Sequence, residues 1–279
     1  LNLTYMNIFI GISVIIYTFS GGTKAVNVTQ KQQMFVIMLG MFSTFFLILH
    51  YLPNDMTFSS ALHIAGANDK MNIVDFSFDP EQKYTFWSGI TGGFFLALAY
   101  FGTDQSQVGR YLSGKSVRES QMGLIMNGLL KVPMQFFILL TGVMVFVFFQ
   151  FNPVPLNFNP NNKTVIENSK YKKEYQALEN KLNALSEDKK VINLLYIDQL
   201  NQDYDNPTLR KELVALSNKE KDLRDRAKDI ISKADPDSET NDKDYVFFHF
   251  VLNYLPKGLI GLLLAVILSA AMSSTASGL

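Results

Sequence analysis

The 279-residue chain has no cysteine, three histidines and one tryptophan. Without cysteine it has no disulfide, no thiolate nucleophile and no cysteine-ligated metal. His50, His63 and His249 are too far apart for the paired spacing of a zinc motif. Charge is scarce too, except in one place. Segment 163–244 carries 16 Lys/Arg and 18 Asp/Glu in 82 residues, and the other 197 residues carry 9 and 7. A soluble domain averages about 25% charged residues, so the chain outside this segment has the composition of a membrane protein. Overall charge balances at 25 basic and 25 acidic groups, and with no excess of either sign a nucleic-acid partner is excluded. The apolar part shows no nucleophile–base pair, so the chain does not read as an enzyme.

The remaining sequence holds long apolar runs. A bilayer crossing takes roughly 20 such residues. Five runs qualify as candidate spans: Tyr5–Phe19, Met34–Leu52, Tyr84–Thr103, Met122–Phe151 and Lys257–Ser277. The first is short and reads as a truncated span. No basic residue precedes it, which argues against a secretory leader. Pro53 stops the second, and the fourth carries Lys131 and Pro133 in its interior. Loop charge sets orientation. Loop Gly21–Gln33 carries Lys24 and Lys31, and loop Asp104–Gln121 carries Arg110, Lys115 and Arg118. These two are expected on the cytoplasmic side. Loop Pro53–Lys83 is acidic on balance and is expected outside, together with 152–244. The chain thus divides into spans one to four (1–151), an extracytoplasmic loop (152–244), and a short outer helix with a fifth span (245–279).

Within the charged loop, Leu209, Leu213, Leu216, Leu223, Ala227, Ile230 and Ala234 follow a 4,3 repeat broken by Glu220. Tyr175, Leu178, Leu182 and Leu185 repeat likewise, continued by Ile192, Leu195 and Gln199. This is the seam spacing of a coiled coil. The stretch Asn201–Pro207 supplies turn chemistry between two helices. The expectation is a self-contained helical hairpin whose ends, Asn162 and Lys243, lie close together. It serves either as a solvated pair or as a docking site for a partner.

Three places can carry chemistry. Lys131 lies about nine residues inside its span. An ionisable group at that depth faces a cavity or a partner, and an ion pair is expected ahead of a lysine that snorkels to the helix end. Ala270, Ser273 and Ser274 stand at i, i+3 and i+4, on one helix face. Two hydroxyls and a carbonyl offer oxygen ligands to a hard cation, although small residues at this spacing also serve helix packing. Tyr100-Phe101-Gly102 closes the third span, as a cavity cap or as part of an interfacial aromatic belt.

Three motifs in order resemble the sodium:solute symporter family, which includes the sodium/glucose cotransporters. They are Tyr17–Thr29 with its Gly21-Gly22 pair, Phe101–Ser116 followed by Leu130-Lys131-Val132-Pro133, and Leu255–Ala265 running into Ser269–Ser274. The resemblance implies an all-α membrane protein with a LeuT-type inverted-repeat fold, in which the five spans are core helices four to eight of a longer transporter. The coiled-coil hairpin is an extramembrane insertion in that fold. The resemblance implies sodium as the coupling ion, held by the Ala270 carbonyl and the Ser273 and Ser274 hydroxyls. It implies a substrate gate at Tyr100, with Phe101 beside it, and a substrate vicinity at Lys131 and Ala97. Ala97 stands where sugar-binding members carry an asparagine, and Gln30 where a second sodium site carries an aspartate. One sodium per solute is therefore expected. The implied function is symport of a small solute, whether sugar, monocarboxylate or similar, across a bacterial inner membrane and in contact with its lipid. A sensor built on the same membrane module is the alternative.

Overall fold

The computed structural model describes residues 3–72, 75–79, 85–105, 108–109 and 116–278, without the side chains of 3, 4, 6, 7, 9, 17, 18, 20–27 and 273–278. The described residues are all-helical, with no strand among them. The α-helices are α1 (Leu3–Tyr51), α2 (Phe58–Ala67), α3 (Phe86–Leu98), α4 (Val117–Phe148), α5 (Pro160–Glu167), α6 (Lys172–Leu200), α7 (Pro207–Ala234), α8 (Lys243–Tyr254) and α9 (Lys257–Gly278). They fall into two compact units. Unit one is 1–43, 73–138 and 256–279, and unit two is 44–72 and 139–255.

The longest helix corrects the sequence reading. A loop was expected over Gly21–Gln33, but α1 runs unbroken for 49 residues. At 1.5 Å per residue that is about 73 Å, against a hydrocarbon thickness of about 30 Å. No proline lies between Leu3 and Tyr51. Each of Gly21 and Gly22 costs only about 1 kcal/mol relative to alanine, too little to stop a helix that propagates cooperatively from both sides. The stretch of α1 apolar and long enough to cross a membrane is Val28–Tyr51. The other such helix among the described residues is α4, and α9, 22 residues long, is apolar over Lys257–Met272, where its described side chains end. The helix α4 continues through Pro133, which forfeits one backbone hydrogen bond.

The third expected span, Tyr84–Thr103, is also shorter than expected. Its first residue lies outside the described residues. Thr85 caps α3 by a reciprocal box with Ser88, and the α-helix lasts 13 residues. A single π turn, Ala99–Thr103, follows.

Unit two has a packed interior. At its aromatic centre Phe148 lies 4.7 Å from Tyr254 and 4.9 Å from Phe250, both edge-on. This geometry is favourable for the ring quadrupoles. A second cluster joins Leu156 and Ile166 to Tyr175, Leu178 and Leu182 of α6 and to Ala227, Ile230 and Ile231 of α7. The two long helices form a hairpin. Asp203 takes a positive φ of 57° in the turn. Asn206 then caps α7, with Pro207 in its first turn, as helix starts prefer. The ends of the hairpin meet as expected. The Asn162 amide donates to the Glu239 carbonyl at 2.9 Å, and the Phe158 N–H donates to the Asp242 carboxylate at 2.9 Å.

Two expectations about the hairpin are revised. The inner face of α6 does not continue through Leu195, which is 50% exposed. It passes instead through Lys189, Asn193, Tyr196 and Ile197. The cause is polar pairing. Lys189 reaches Glu220, the break in the α7 repeat, at 2.9 Å, and the Tyr196 hydroxyl donates to Asp205 in the turn at 2.7 Å. Nor is the hairpin self-contained. Asn201 donates to the Asp55 carbonyl at 2.9 Å, and Ser217 donates to Asn68 at 2.5 Å. The segment Pro53–Asn72 is thus docked on it.

Burial penalises the Glu220 carboxylate, but Lys189 and Arg224 outweigh that cost and hold it below the usual carboxylate range. Asn193 is fully buried, and neither side-chain polar atom has a hydrogen-bond partner among the described residues.

Candidate functional site

In unit one the helix α3 ends in a widened turn. The Asp104 N–H donates to the Ala99 carbonyl five residues back at 3.0 Å, and the Thr103 hydroxyl donates to the same oxygen at 3.0 Å. Such π turns are rare and recur at functional sites. Tyr100 and Phe101 lie within it, ring to ring at 5.0 Å and edge-on. The Lys131 ammonium, from α4, stands 5.3 Å from the centre of the Tyr100 ring. The structure therefore brings together two residues 31 positions apart that sequence analysis named separately. An ion pair was expected for Lys131. Among the described residues it has none, and its partner is an aromatic face instead. A cation over a tyrosine ring is attracted by the ring quadrupole while keeping its charge available. Ala97 is exposed, three residues before Tyr100 on α3, and its methyl group offers no hydrogen bond.

The second candidate lies on α9. Ala270 is half-buried. The side chains of Ser273 and Ser274 lie outside the described residues, as do Ser106, Gln107 and Arg110–Lys115 of the second motif and the side chains from Ser20 to Asn27 of the first. What the structure does show is how α9 is held. Gln33 of α1, 9% exposed, donates from its amide to the Ser269 hydroxyl at 2.6 Å. Seven residues on, a Cβ at Gly40 would stand 2.5 Å from Leu263 Cδ2. A larger residue there would have to displace the Leu263 side chain, and close approach at a glycine is in the manner of small-residue packing between membrane helices. Val14 is buried beside Ile10 and Met272. Gln33 was not a site candidate in the sequence, and Ser269 stood in the third motif without a role of its own. The available signal was an amide at the head of an apolar run, and a hydroxyl one turn before Ser273. Among the described residues no three His, Asp or Glu converge as a metal site.

Comparison with known proteins decides the family. The model of the sodium:solute symporter family matches residues 1–181, well over half of the chain. The chain belongs to the sodium:solute symporter family. Similar curated proteins include sodium-coupled monocarboxylate transporter 2 of Mus musculus, 35% identical over 118 residues, which is 42% of this chain and 18% of that protein. The sodium/iodide cotransporter of Homo sapiens is 31% identical over 119 residues, 42% of this chain and 18% of that protein. Sodium-coupled monocarboxylate transporter 1 of Homo sapiens is 32% identical over 117 residues, 42% and 19% respectively. The matched stretch thus spans about a fifth of these relatives. No solved structure matches the chain. Membership of this family makes the chain part of an integral membrane protein of the transporter class, not an enzyme. The family match takes in Tyr100, Phe101, Ala97 and Lys131 and ends before α9.

Proposed function

We propose that this chain is part of a sodium-coupled symporter for a small organic anion. The observation that carries the anion is Lys131, a cation inside an apolar helix with the Tyr100 ring as neighbour and no carboxylate paired to it among the described residues. A fixed positive charge on an apolar span favours a negatively charged solute. Relatives named for monocarboxylates and iodide support that choice. Ala97, with no hydrogen-bonding group, offers little to a sugar.

In this reading the chain contributes core helices four to eight of a LeuT-type fold, with the site near the midplane. Sodium is cargo. It is held by the Ala270 carbonyl and the Ser273 and Ser274 hydroxyls, with Gln33 and Ser269 fixing the helix that presents them. Sodium binding favours the outward-open state, the anion enters beside Lys131 and Tyr100, and the bundle rocks inward. No bond is made or broken, since coupling is a population shift by differential binding. One sodium accompanies each solute, because Gln30 supplies no charge for a second. The protein sits in the bacterial inner membrane with 152–244 outside. Hydrogen bonds between the two segments expected outside, Asn201 to Asp55 and Ser217 to Asn68, support placing them on one side.

The test is uptake by the complete transporter in liposomes under an inward sodium gradient. Labelled monocarboxylate should accumulate and labelled hexose should not. Lys131→Gln should lower carboxylate kcat/KM about a hundredfold, as befits a lost charge-assisted contact of about 3 kcal/mol. Hexose accumulation, or a Lys131→Gln protein that matches wild type, would overturn the reading. A cysteine at Asn218 should react with an impermeant label in intact cells and one at Ser116 should not, and the reverse pattern would invert the topology.

A further inference from the structure

Unit two holds a cleft of about 610 Å³ between the hairpin, the end of α4 and the start of α8. Its size falls within the range of small-molecule sites, roughly 300–1,000 Å³. Six cationic side chains line it: Lys70, Lys189, Lys221, Arg224, Lys228 and Lys243. Three carboxylates also line it, and each is already engaged. Glu220 is held by Lys189 and Arg224 at 2.9 and 3.0 Å, Asp225 by Lys228 at 3.4 Å, and Asp242 accepts the Phe158 N–H at 2.9 Å. This pairing leaves Lys70, Lys221 and Lys243 without a carboxylate partner among the described residues. Lys70 lies over the face of Phe146, 5.2 Å from its centre, and Arg224 lies likewise over Phe158 at 5.3 Å. With Phe149 these rings make one wall of the cleft apolar.

The combination is specific. Three uncompensated ammonium groups attract an anion, and the walls they share are aromatic, so an inorganic ion would leave that surface unused. We propose that this cleft binds a small organic carboxylate with an apolar tail, at a site separate from Tyr100 and Lys131. Carboxylate oxygens meet Lys70, Lys221 and Lys243, and the tail lies on Phe146 and Phe149. The hairpin supplies Lys221, the turn after α2 supplies Lys70 and the first turn of α8 supplies Lys243. Docking of the 53–72 segment on the hairpin is therefore what assembles the site. An anionic lipid headgroup shares this chemistry, and the experiment below separates the two sources. A role in collecting solute for transport rests on the symport reading; binding itself does not.

The experiment uses the complete protein in nanodiscs of neutral phosphatidylcholine, in choline chloride without sodium, so that symport plays no part. Labelled benzoate is the probe. Saturable binding is expected, resisted by raised ionic strength and not competed by benzyl alcohol. Replacing Lys70, Lys221 and Lys243 together by Gln should weaken it at least about tenfold, as for the loss of charge-assisted contacts, and Arg at the same three positions should restore it. These surface changes leave the hairpin core untouched, and an unaltered thermal unfolding curve checks that. Absence of saturable binding, equal competition by benzyl alcohol, or an unaffected triple variant would overturn the proposal. So would loss of benzoate binding in discs containing phosphatidylglycerol, which would give the cleft to lipid. If binding persists while uptake fails, the symport reading falls and this site stands.

Discussion

The two units handle apolar side chains in opposite ways. Unit two buries Tyr196, Phe148, Phe250, Ile48, Ile64 and Leu182 almost completely, whereas unit one contributes Val14 to that group among the described residues. Unit one instead leaves Phe95, Leu96, Leu129, Leu130 and Val132 mostly exposed. The contrast is one of packing partners within each unit, since Ile48 and Phe148 of unit two belong to the same apolar helices that run through unit one. A helix in lipid gains nothing by hiding leucine, so its contacts are few and chosen by shape, as where Gly40 meets Leu263. A charged hairpin in water must build its own core, since apolar burial supplies about 25 cal/mol per Å². Density of packing in this chain therefore marks the charged hairpin, and sparse polar contacts such as Gln33 to Ser269 mark the apolar helices of unit one.

The largest test of that contrast is a pair of truncations. Leu182→Ala, in the hairpin core at 1% exposure, should cost about 3 kcal/mol. Leu130→Ala, 63% exposed in unit one, should change stability by no more than about 0.5 kcal/mol. Thermal unfolding in detergent reads both, and similar losses at the two sites would erase the distinction. Next in size is the sodium site. Ser274→Ala should raise the sodium needed for half-maximal uptake about tenfold, if one oxygen ligand is worth ~1.4 kcal/mol, with Gln30→Ala doing much less. A Hill coefficient near two for sodium would contradict a single ion.

A smaller effect of opposite sign is expected at Asn193. Its buried amide has no partner among the described residues, so Asn193→Leu should stabilise unit two by about 1 kcal/mol, and a lowered unfolding temperature would show that the amide is satisfied in solution. The smallest concerns acid. Glu220 is held below its ordinary value of 4.5 by Lys189 and Arg224 against the cost of burial. Its contribution is complete above that unfolded value and is lost as pH falls through the lower folded one. Unfolding of the hairpin followed by circular dichroism should weaken only in that acid window. Glu220→Gln should flatten the dependence, and unchanged acid sensitivity in that variant would assign it to other carboxylates.

Much of this was legible in the residues. Charge density separated 163–244 from its surroundings, because neither lipid nor a small core tolerates so many ions. Asn201–Pro207 announced its turn, since Asn caps and Pro starts a helix by purely local geometry. Heptad spacing located Leu213, Leu216, Ala227 and Ile230 on the inner face of α7. The three family motifs named Tyr100, Phe101, Ala97, Lys131, Ala270, Ser273 and Ser274 as candidates. Other features were not legible. Two glycines and a lysine looked like a loop in α1, yet helix propagation overrode them. The inner face of α6 shifted because Lys189 found Glu220 and Tyr196 found Asp205, partners set by how the hairpin closes. Periodicity registers where apolar groups fall and is silent on such cross-chain polar pairs.

The sequence by itself determined the uneven charge of its segments, the helical character of the chain and the family to which it belongs, because composition, spacing and local motifs are properties of neighbours along the chain. Only the tertiary structure decided that Lys131 stands over Tyr100, that Gln33 holds Ser269, and that six cations gather around one cleft. Each of these joins side chains far apart in sequence. Their meeting depends on which helix faces pack together, a choice made by the sum of many weak contacts that no single residue announces.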